Sequence, residues 1–595
     1  MTAITHSCEY GWITPVRVDT RVLGVPGLLR GVRHRYAPVS FPEGTELLFL
    51  SLQFPHAHLN LRPSRPSLSL GANDVSNAFA TSVGSGAINL KSAVAIAAVC
   101  EFSGAVLMGG SVAETIRKGI ADLSEFEGEP EVLMYGMMCV LLTVAMWLLV
   151  ATQMGLPVST THTTVGGVIG MSMVARGASS VAWGKDMDPT FPWFTGVSKI
   201  VVSWIFSPIL SAIAAAGLFV LIRGTVLRTK QPVRNSLIAF PIVVGATISL
   251  NIYLLLIKGT SARAGTDEWP LGVIMGTTFG VGSGAMILVA MAMPFLLSRI
   301  DTLTSQDSDK DLRAMEAAKK ETGKKQQEED ELSDVPHDPE RAWAGLDDGD
   351  VDLELESTTT ASIDRRNWPV DWAKRYNASL AINTAEVVSR SNAKVQEIHE
   401  NAEVFDPKAE KVFGYMQVFS ACCDSFAHGA NDVSNAMGPF AAIYGIYRSG
   451  LAQQESSVPL WILATGGFGM VVGLALLGSK IIKQIGMRLS KITPARGLCI
   501  ELGAALVVIV GTKFGIPLST THCQVGATTG VAMLEGNSGV NWMLFLQVIM
   551  GWMVTLVIAA MGASAFTAQG LYAPHIHRDG MEEGFALGAA SCNAP

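Results

Sequence analysis

GANDVSNA at residues 71–78 returns unchanged as GANDVSNA at residues 429–436. The two copies lie 358 positions apart, and each abuts apolar sequence. Asp and Asn suit helix interiors poorly, because their side chains compete for the backbone's hydrogen bonds. In hydrocarbon they are also costly, and intramembrane ionisable residues mark sites of function. Non-helical backbone survives at membrane depth only where it faces protein or a water-filled cavity. The motif therefore predicts a broken, cavity-lining element in each copy. Its carboxylate and amide oxygens suit a hard cation such as Na+.

Working outward, GLPVSTTH at 155–162 matches GIPLSTTH at 515–522, 360 positions apart. Gly177, Val181 and Trp183 match Gly536, Val540 and Trp542 at nearly the same offset. Three anchors at one spacing define two homologous halves, a first repeat over 71–297 and a second over 411–569. The atypical segment 1–70 precedes them, 298–410 joins them and a tail, 570–595, follows.

The chain has 595 residues, of which 49% are hydrophobic and 16% charged. About 25% charge is usual for soluble domains, so the composition points to a polytopic membrane protein. Runs long enough to cross about 30 Å of hydrocarbon lie near 92–112, 132–153, 197–222, 236–258, 271–297, 459–479, 497–514 and 541–567. The expected fold is an all-α bundle with broken or re-entrant helices. A net charge of −8 gives no footing for a nucleic-acid partner. The eight cysteines form no framework, and the adjacent Cys422 and Cys423 lack metal-ligand spacing, so neither structural disulfide nor transition metal is expected.

Charge orients the halves. Residues 114–131 carry Arg117 and Lys118 against six acids, whereas 480–496 carry five basic residues and no acid. The positive-inside rule makes the second loop cytoplasmic and the first not. Equivalent loops on opposite sides are the mark of an inverted-topology repeat. Arg223, Arg228, Lys230 and Arg234 mark another cytoplasmic turn, and two spans later the joining segment 298–410 falls on the same side. Its low hydrophobicity and high charge predict a largely disordered loop, with short helices at 310–325 and 386–404.

In each GxPxSTTH copy the proline suits the start of a helix and Ser or Thr suits its cap. A helix beginning at membrane depth presents free N–H groups and a positive dipole, which favour an anion. Two such ends facing each other would bracket a small oxyanion. The same residues could serve only as caps or packing, but duplication favours the anion site. Glu101 and Glu501 sit inside apolar runs and are further candidates, with an Arg496–Glu501 ion pair as the plainer reading of the latter. His162 and His522 read as hydrogen-bonded structural residues. His428 precedes the second motif where the first has Leu70, which weakens a shared role.

With both signatures present twice, the chain resembles the PiT family of inorganic phosphate transporters, and most of all its fungal phosphate-repressible permeases. The resemblance implies symport of phosphate with Na+ by alternating access, no enzymatic activity and no cofactor beyond the co-transported Na+. It implies that Asp74, Asn77, Ser159, Thr160, Thr161, Asp432, Asn435, Ser519, Thr520 and Thr521 line the phosphate site. Asn73, Asn431, Asp74 and Asp432 become the Na+ ligands. Animal members carry Glu where this chain has Met137. The family also places a membrane helix with an Asp ahead of each motif. Residues 412–426 with Asp424 supply it in the second half, whereas 54–70 cannot span a bilayer and have Pro66 at the matching position. Residues up to about 70 therefore read as a mispredicted exon or retained intron. Plasma membrane is the expected location, and a homodimer is allowed. Proton coupling, a different oxyanion such as sulfate, and a membrane-embedded enzyme with Ser159 or Thr160 as nucleophile are the competing readings.

Overall fold

The computed structural model describes residues 69–184, 193–256, 269–295, 384–452, 458–513 and 518–573, with the single positions 298, 382 and 516. Segments 1–68 and 310–325 lie outside these. Eight described helices are long and apolar enough to cross a membrane: Leu90–Gly110, Pro130–Met154, Gly196–Leu227, Pro232–Tyr253, Leu271–Phe295, Leu460–Leu477, Pro494–Gly511 and Trp542–Tyr572. They coincide with the eight apolar runs in the sequence.

The first motif copy forms a π-helical turn, Gly71–Val75, that leads into α1 (Ser76–Gly84). Helix α2 (Leu90–Gly119) starts at Asn89, whose side chain accepts the Ser92 N–H. Helix α3 (Pro130–Met154) opens on proline and stops at Gly155, whose φ of 70° is the left-handed geometry that commonly ends helices. A non-helical return over 156–159 then delivers the cap of α4 (Thr160–Arg176). Helices α5 (Gly196–Ile222), α6 (Pro232–Leu254) and α7 (Leu271–Phe295) follow. Short helices α8 (Thr384–Ser389) and α9 (Ala393–Asn401) lead to the long α10 (Pro407–Ser449). Then come α11 (Leu460–Leu477), α12 (Ser479–Lys483), α13 (Pro494–Lys513), α14 (Thr520–Ala532) and α15 (Trp542–Tyr572).

Three expectations need correction. The second motif copy is not broken: 429–436 lie inside the continuous helix α10. Its polar side chains find partners on neighbouring helices, so its backbone can stay helical. Pro157 is not the first helical residue, since the cap is Ser159 and the helix starts at Thr160. The expected helix over 386–404 is two helices, because the Asn392 side chain accepts the Val395 N–H and starts a new one.

Glycines set the packing of the hairpins. A Cβ on Gly166 or Gly170 of α4 would stand 2.6 Å from the Leu556 carbonyl oxygen and 2.2 Å from that of Ala560, both on α15. A Cβ on Gly526 or Gly530 of α14 would stand 2.3 Å from the Pro208 carbonyl oxygen and 2.5 Å from that of Ala212, both on α5. Helix α4 thus lies against α15 and α14 against α5, each on a long helix of the other half, at backbone contact. Small residues permit such approach between membrane helices. Helices α2 and α10 cross just as closely, at Gly104 against Phe426 and Gly429 against Glu101.

At one end of the bundle the joining segment is clasped to both halves. Glu403 pairs with Arg223 and, at 2.8 Å, with Arg228. Arg496 donates to the Glu403 carbonyl at 2.9 Å and to Glu535 at 2.7 Å, and its guanidinium lies over Phe219 and Phe405. Lys491 donates to the His399 carbonyl at 2.9 Å. Burial alone would raise the Glu403 carboxyl, but the hydrogen bonds and charges of Arg228 and Arg223 hold it below its ordinary value. The basic turn at Arg223–Arg228 and Arg496 therefore meet at Glu403.

Gly530→Val forces a side chain into the Ala212 backbone and should cost roughly 1–3 kcal/mol or more. Gly217→Val on α5, where nothing lies within 4 Å of the added Cβ, should be near neutral. Thermal unfolding of the purified variants in detergent checks the pair, and equal melting points would refute the packing.

Candidate substrate site between two helix ends

Two helix N-termini meet in the middle of the bundle. Ser159 and Ser519 cap α4 and α14, and each hydroxyl oxygen accepts the N–H of the histidine three residues on, at 3.3 Å. The Ser519 hydroxyl also donates to that of Ser159 at 2.8 Å, so the two caps touch. Both caps are 1% exposed. Each free helix end is therefore satisfied by hydroxyl groups and by the other half of the molecule.

The motif carboxylates flank this junction. Asp74 accepts from Thr160 of its own half and, at 3.1 Å, from Thr521 of the other. Asp432 accepts from Thr520 at 2.6 Å and from the Asn431 amide at 2.7 Å. The Asn435 amide donates across the halves to Thr160 at 3.0 Å and Thr161 at 3.3 Å. Both aspartates are 1% exposed, and a buried carboxylate persists only with such partners. The structure thus brings together Asp74, Ser159, Thr160, Thr161, Asp432, Asn435, Ser519, Thr520 and Thr521. Asn77 follows on α1, and its side chain lies outside the described ones.

Asn73 and Asn431 brace the returns into the hairpins. The Asn73 amide donates to the Leu156 carbonyl at 3.0 Å and to Thr152 at 3.2 Å, and its oxygen accepts the Val158 N–H at 3.0 Å. Asn431 donates to the Leu518 carbonyl at 3.3 Å. An amide with a donor and an acceptor satisfies unwound backbone that a carboxylate could not.

A second polar layer adjoins the first. Glu501 accepts from Thr81 at 2.7 Å, Ser82 at 2.5 Å, Gln417 at 2.9 Å and also Ser420. The expected Arg496–Glu501 pair is absent, because Arg496 faces Glu535 and Glu403 at the bundle's end. Glu101 accepts from Ser425 at 3.0 Å and faces His428 Nδ1 at 2.7 Å. His428 Nε2 lies 2.9 Å from Asp432, close but poorly aligned as a hydrogen bond. His428 is therefore wired to the site, although its position in the first half is Leu70. Asp424 lines a small internal void with His428, Thr520 and Gln524.

Gln417, Ser420, Thr81 and Ser82 were readable and were missed. Gln417, Ser420, Asp424, His428, Asn431 and Asn435 recur at steps of three or four along α10, a polar stripe at helical period. Thr81 and Ser82 follow the first motif at once. Trp204 and Trp552, which stack on His162 and His522, had no sequence signal beyond their type.

The sequence matches a model of the phosphate transporter family over residues 70–563. The chain belongs to that family. It is 30% identical to the phosphate-repressible phosphate permease of Neurospora crassa, over 82% of this chain and 92% of that one. It is 28% identical to sodium-dependent phosphate transporter 1 of Rattus norvegicus, over 84% of this chain and 92% of that protein. A solved structure titled the sodium-dependent phosphate transporter superposes with a TM-score of 0.58 at 27% identity, covering 85% of this chain and 96% of that one. The family member described here is an integral, multi-pass membrane transporter and not an enzyme.

Arg496→Ala strands Glu535 and should cost about 3–5 kcal/mol. Glu501→Ala strands its hydroxyl and amide donors and should cost about 1–3 kcal/mol. With no shared partner, the double variant should lose the sum within about 0.5 kcal/mol. Unfolding measurements on all three proteins test this, and a coupling above about 1 kcal/mol would restore the direct pair.

Proposed function

We propose that the chain couples the symport of inorganic phosphate to Na+ by alternating access. The observation that carries this reading is the contact between two helix caps, Ser159 and Ser519, flanked by Asp74 and Asp432. In this reading phosphate sits between the helix ends and exchanges the present hydroxyl contacts for its own. Ser159, Thr160, Thr161, Ser519, Thr520 and Thr521 donate to its oxygens, with the amides of Asn77 and Asn435. Asp74 and Asp432 hold Na+ beside the anion, with Asn73 and Asn431 contributing oxygens from the braced returns. Glu101, Asp424 and Glu501 form the polar layer through which ions approach.

The two halves act as inverted repeats in this scheme, 71–297 and 411–569, joined by the hydrophilic 298–410. The reciprocal glycine packing supports it, because each hairpin rests on the opposite half. Membrane voltage supplies the need for cations. Each elementary charge costs about 2.3 kcal/mol per 100 mV, so a divalent anion entering a negative interior needs roughly two positive companions. The sodium-dependent relatives favour Na+, and the plasma membrane is the proposed location. A second reading rests on His428, which lies between Glu101 and Asp432. That chain of titratable groups would suit proton coupling.

Radiolabelled phosphate uptake into proteoliposomes, with Na+ replaced by choline at two pH values, separates the readings. Uptake should vanish without Na+. Uptake that tracks pH and ignores Na+ would establish the proton reading instead.

Asp432→Asn should abolish Na+-driven uptake while the purified variant keeps its melting behaviour. Near-normal transport would remove Asp432 from the ion site.

A further inference from the structure

Behind the two caps lies a stack of four aromatic rings. Trp204 stacks on His162 with centroids 3.7 Å apart and planes at 24°. His522 stacks on Trp552 at 3.8 Å and 25°. The two imidazoles meet at 4.5 Å and 39°. The order Trp204, His162, His522, Trp552 is symmetric about the histidine contact, and the touching caps Ser159 and Ser519 belong to the same two helix ends.

The stack has a fixed register with the glycine packing. On α14, His522, Gly526 and Gly530 follow at steps of four; on α5, Trp204, Pro208 and Ala212 do the same. Each rung is a contact: His522 Nδ1 to the Trp204 carbonyl at 3.1 Å, Gly526 against Pro208, and Gly530 against Ala212. The opposite hairpin repeats the spacing, with His162, Gly166 and Gly170 beside the helix that carries Trp552, Leu556 and Ala560. A hairpin that slides along its supporting helix must therefore move its ring within the stack.

The imidazoles are used as plates more than as hydrogen-bonding groups. His162 Nδ1 and His522 Nε2 are buried with no hydrogen-bond partner among the described residues. Trp204 Nε1 and Trp552 Nε1 are likewise unpaired there. This replaces the expectation of hydrogen-bonded histidines for His162. Each histidine's own N–H is fastened to the cap serine, at 3.3 Å, so ring position and cap position are tied within one helical turn.

We infer that Trp204, His162, His522 and Trp552 are positioning residues whose ring stack sets the separation of the two helix N-termini, and with it the fit for a tetrahedral oxyanion. Hydroxyl side chains rotate freely between partners, whereas stacked rings have one contact thickness. A small shift of donors around an anion weakens its binding steeply. The inference rests on the reading of Ser159 and Ser519 as the phosphate-binding ends.

The test uses the full-length protein with Trp204→Leu and Trp552→Leu, and with Trp204→Phe and Trp552→Phe as the ring-preserving controls. In proteoliposomes the leucine variants should raise the phosphate concentration for half-maximal uptake about tenfold, change the maximal rate less, and weaken discrimination against sulfate. The phenylalanine variants should restore both properties. A second readout needs no substrate: Ser159→Cys with Ser519→Cys, oxidised by copper phenanthroline and read by peptide mass mapping. The cross-link should form readily with tryptophan or phenylalanine present and more slowly with leucine. Unchanged cross-linking in the leucine variants, or leucine and phenylalanine variants that behave alike, would overturn the inference. If the cross-link responds as expected but the wild type carries no phosphate, the ring stack stands and the phosphate reading falls.

Discussion

A helix that begins inside hydrocarbon must find partners for its first N–H groups, because no water is there to take them. Helices α4 and α14 both begin buried within the helix bundle, away from water, and much of the site follows. A serine cap supplies one acceptor at each end, and the caps then satisfy each other. The threonines next in line turn their hydroxyls to Asp74 and Asp432, which are themselves tolerable in the interior only because hydroxyls and amides reach them. Asn73 and Asn431 close the remaining backbone gap where the chain returns from α3 and α13. The polar cluster is a single solution to two burial problems, unsatisfied helix ends and buried carboxylates.

The two motif copies solve those problems unequally. The second lies in α10, a helix of 43 residues whose polar stripe continues upstream through Asp424, Ser420 and Gln417. The first occupies a π-helical turn ahead of the short α1, and its neighbours borrow from the other half. Thr81 and Ser82 donate to Glu501, while Gln417 and Ser420 of α10 complete the same carboxylate. Glu101 of the first half is likewise held by Ser425 and faces His428 of the second. Identical octapeptides thus sit in different secondary structure, one starting as a π-helical turn and one inside a continuous α-helix.

The spans, the duplicated motifs and the hydroxyl-capped helix ends were legible in the sequence, since each rests on local pattern, whereas the pairing of those ends with the duplicated aspartates was implied by the family resemblance. The choice between partners was not legible. Arg496 stands five positions from Glu501, and sequence proximity suggested a pair, yet α13 presents the two side chains to different surroundings. Nor could spacing show that Gly166 and Gly170 face α15 and not a helix of their own half. The ring stack escaped for the same reason: Trp204 and Trp552 lie more than 25 residues from the histidines they cover. Local chemistry fixes what a residue can do, and the crossing of helices decides whom it meets.

Electrostatics then limits what such a junction can hold. At about 5 Å and an effective dielectric near 20, two unit charges interact by roughly 3 kcal/mol. A divalent anion beside two ionised aspartates would meet four such repulsions, roughly 13 kcal/mol. Two helix ends return at most about 2 kcal/mol each. Hydrogen bonds to a charged group add about 1.5–3 kcal/mol apiece, but the hydroxyls must first leave the carboxylates they now serve. Neutral donors and dipoles are therefore largely consumed by that repulsion while both aspartates keep their charge, which leaves little net binding. In the proposed symport, positive charge entering at the carboxylates would relieve the repulsion, and the donors that it displaces there would be free to turn toward the anion. On the proposed reading the cation would be more than a counter-charge, since its arrival would release Thr160, Thr520 and Thr521 for the substrate and make binding of the two ions cooperative.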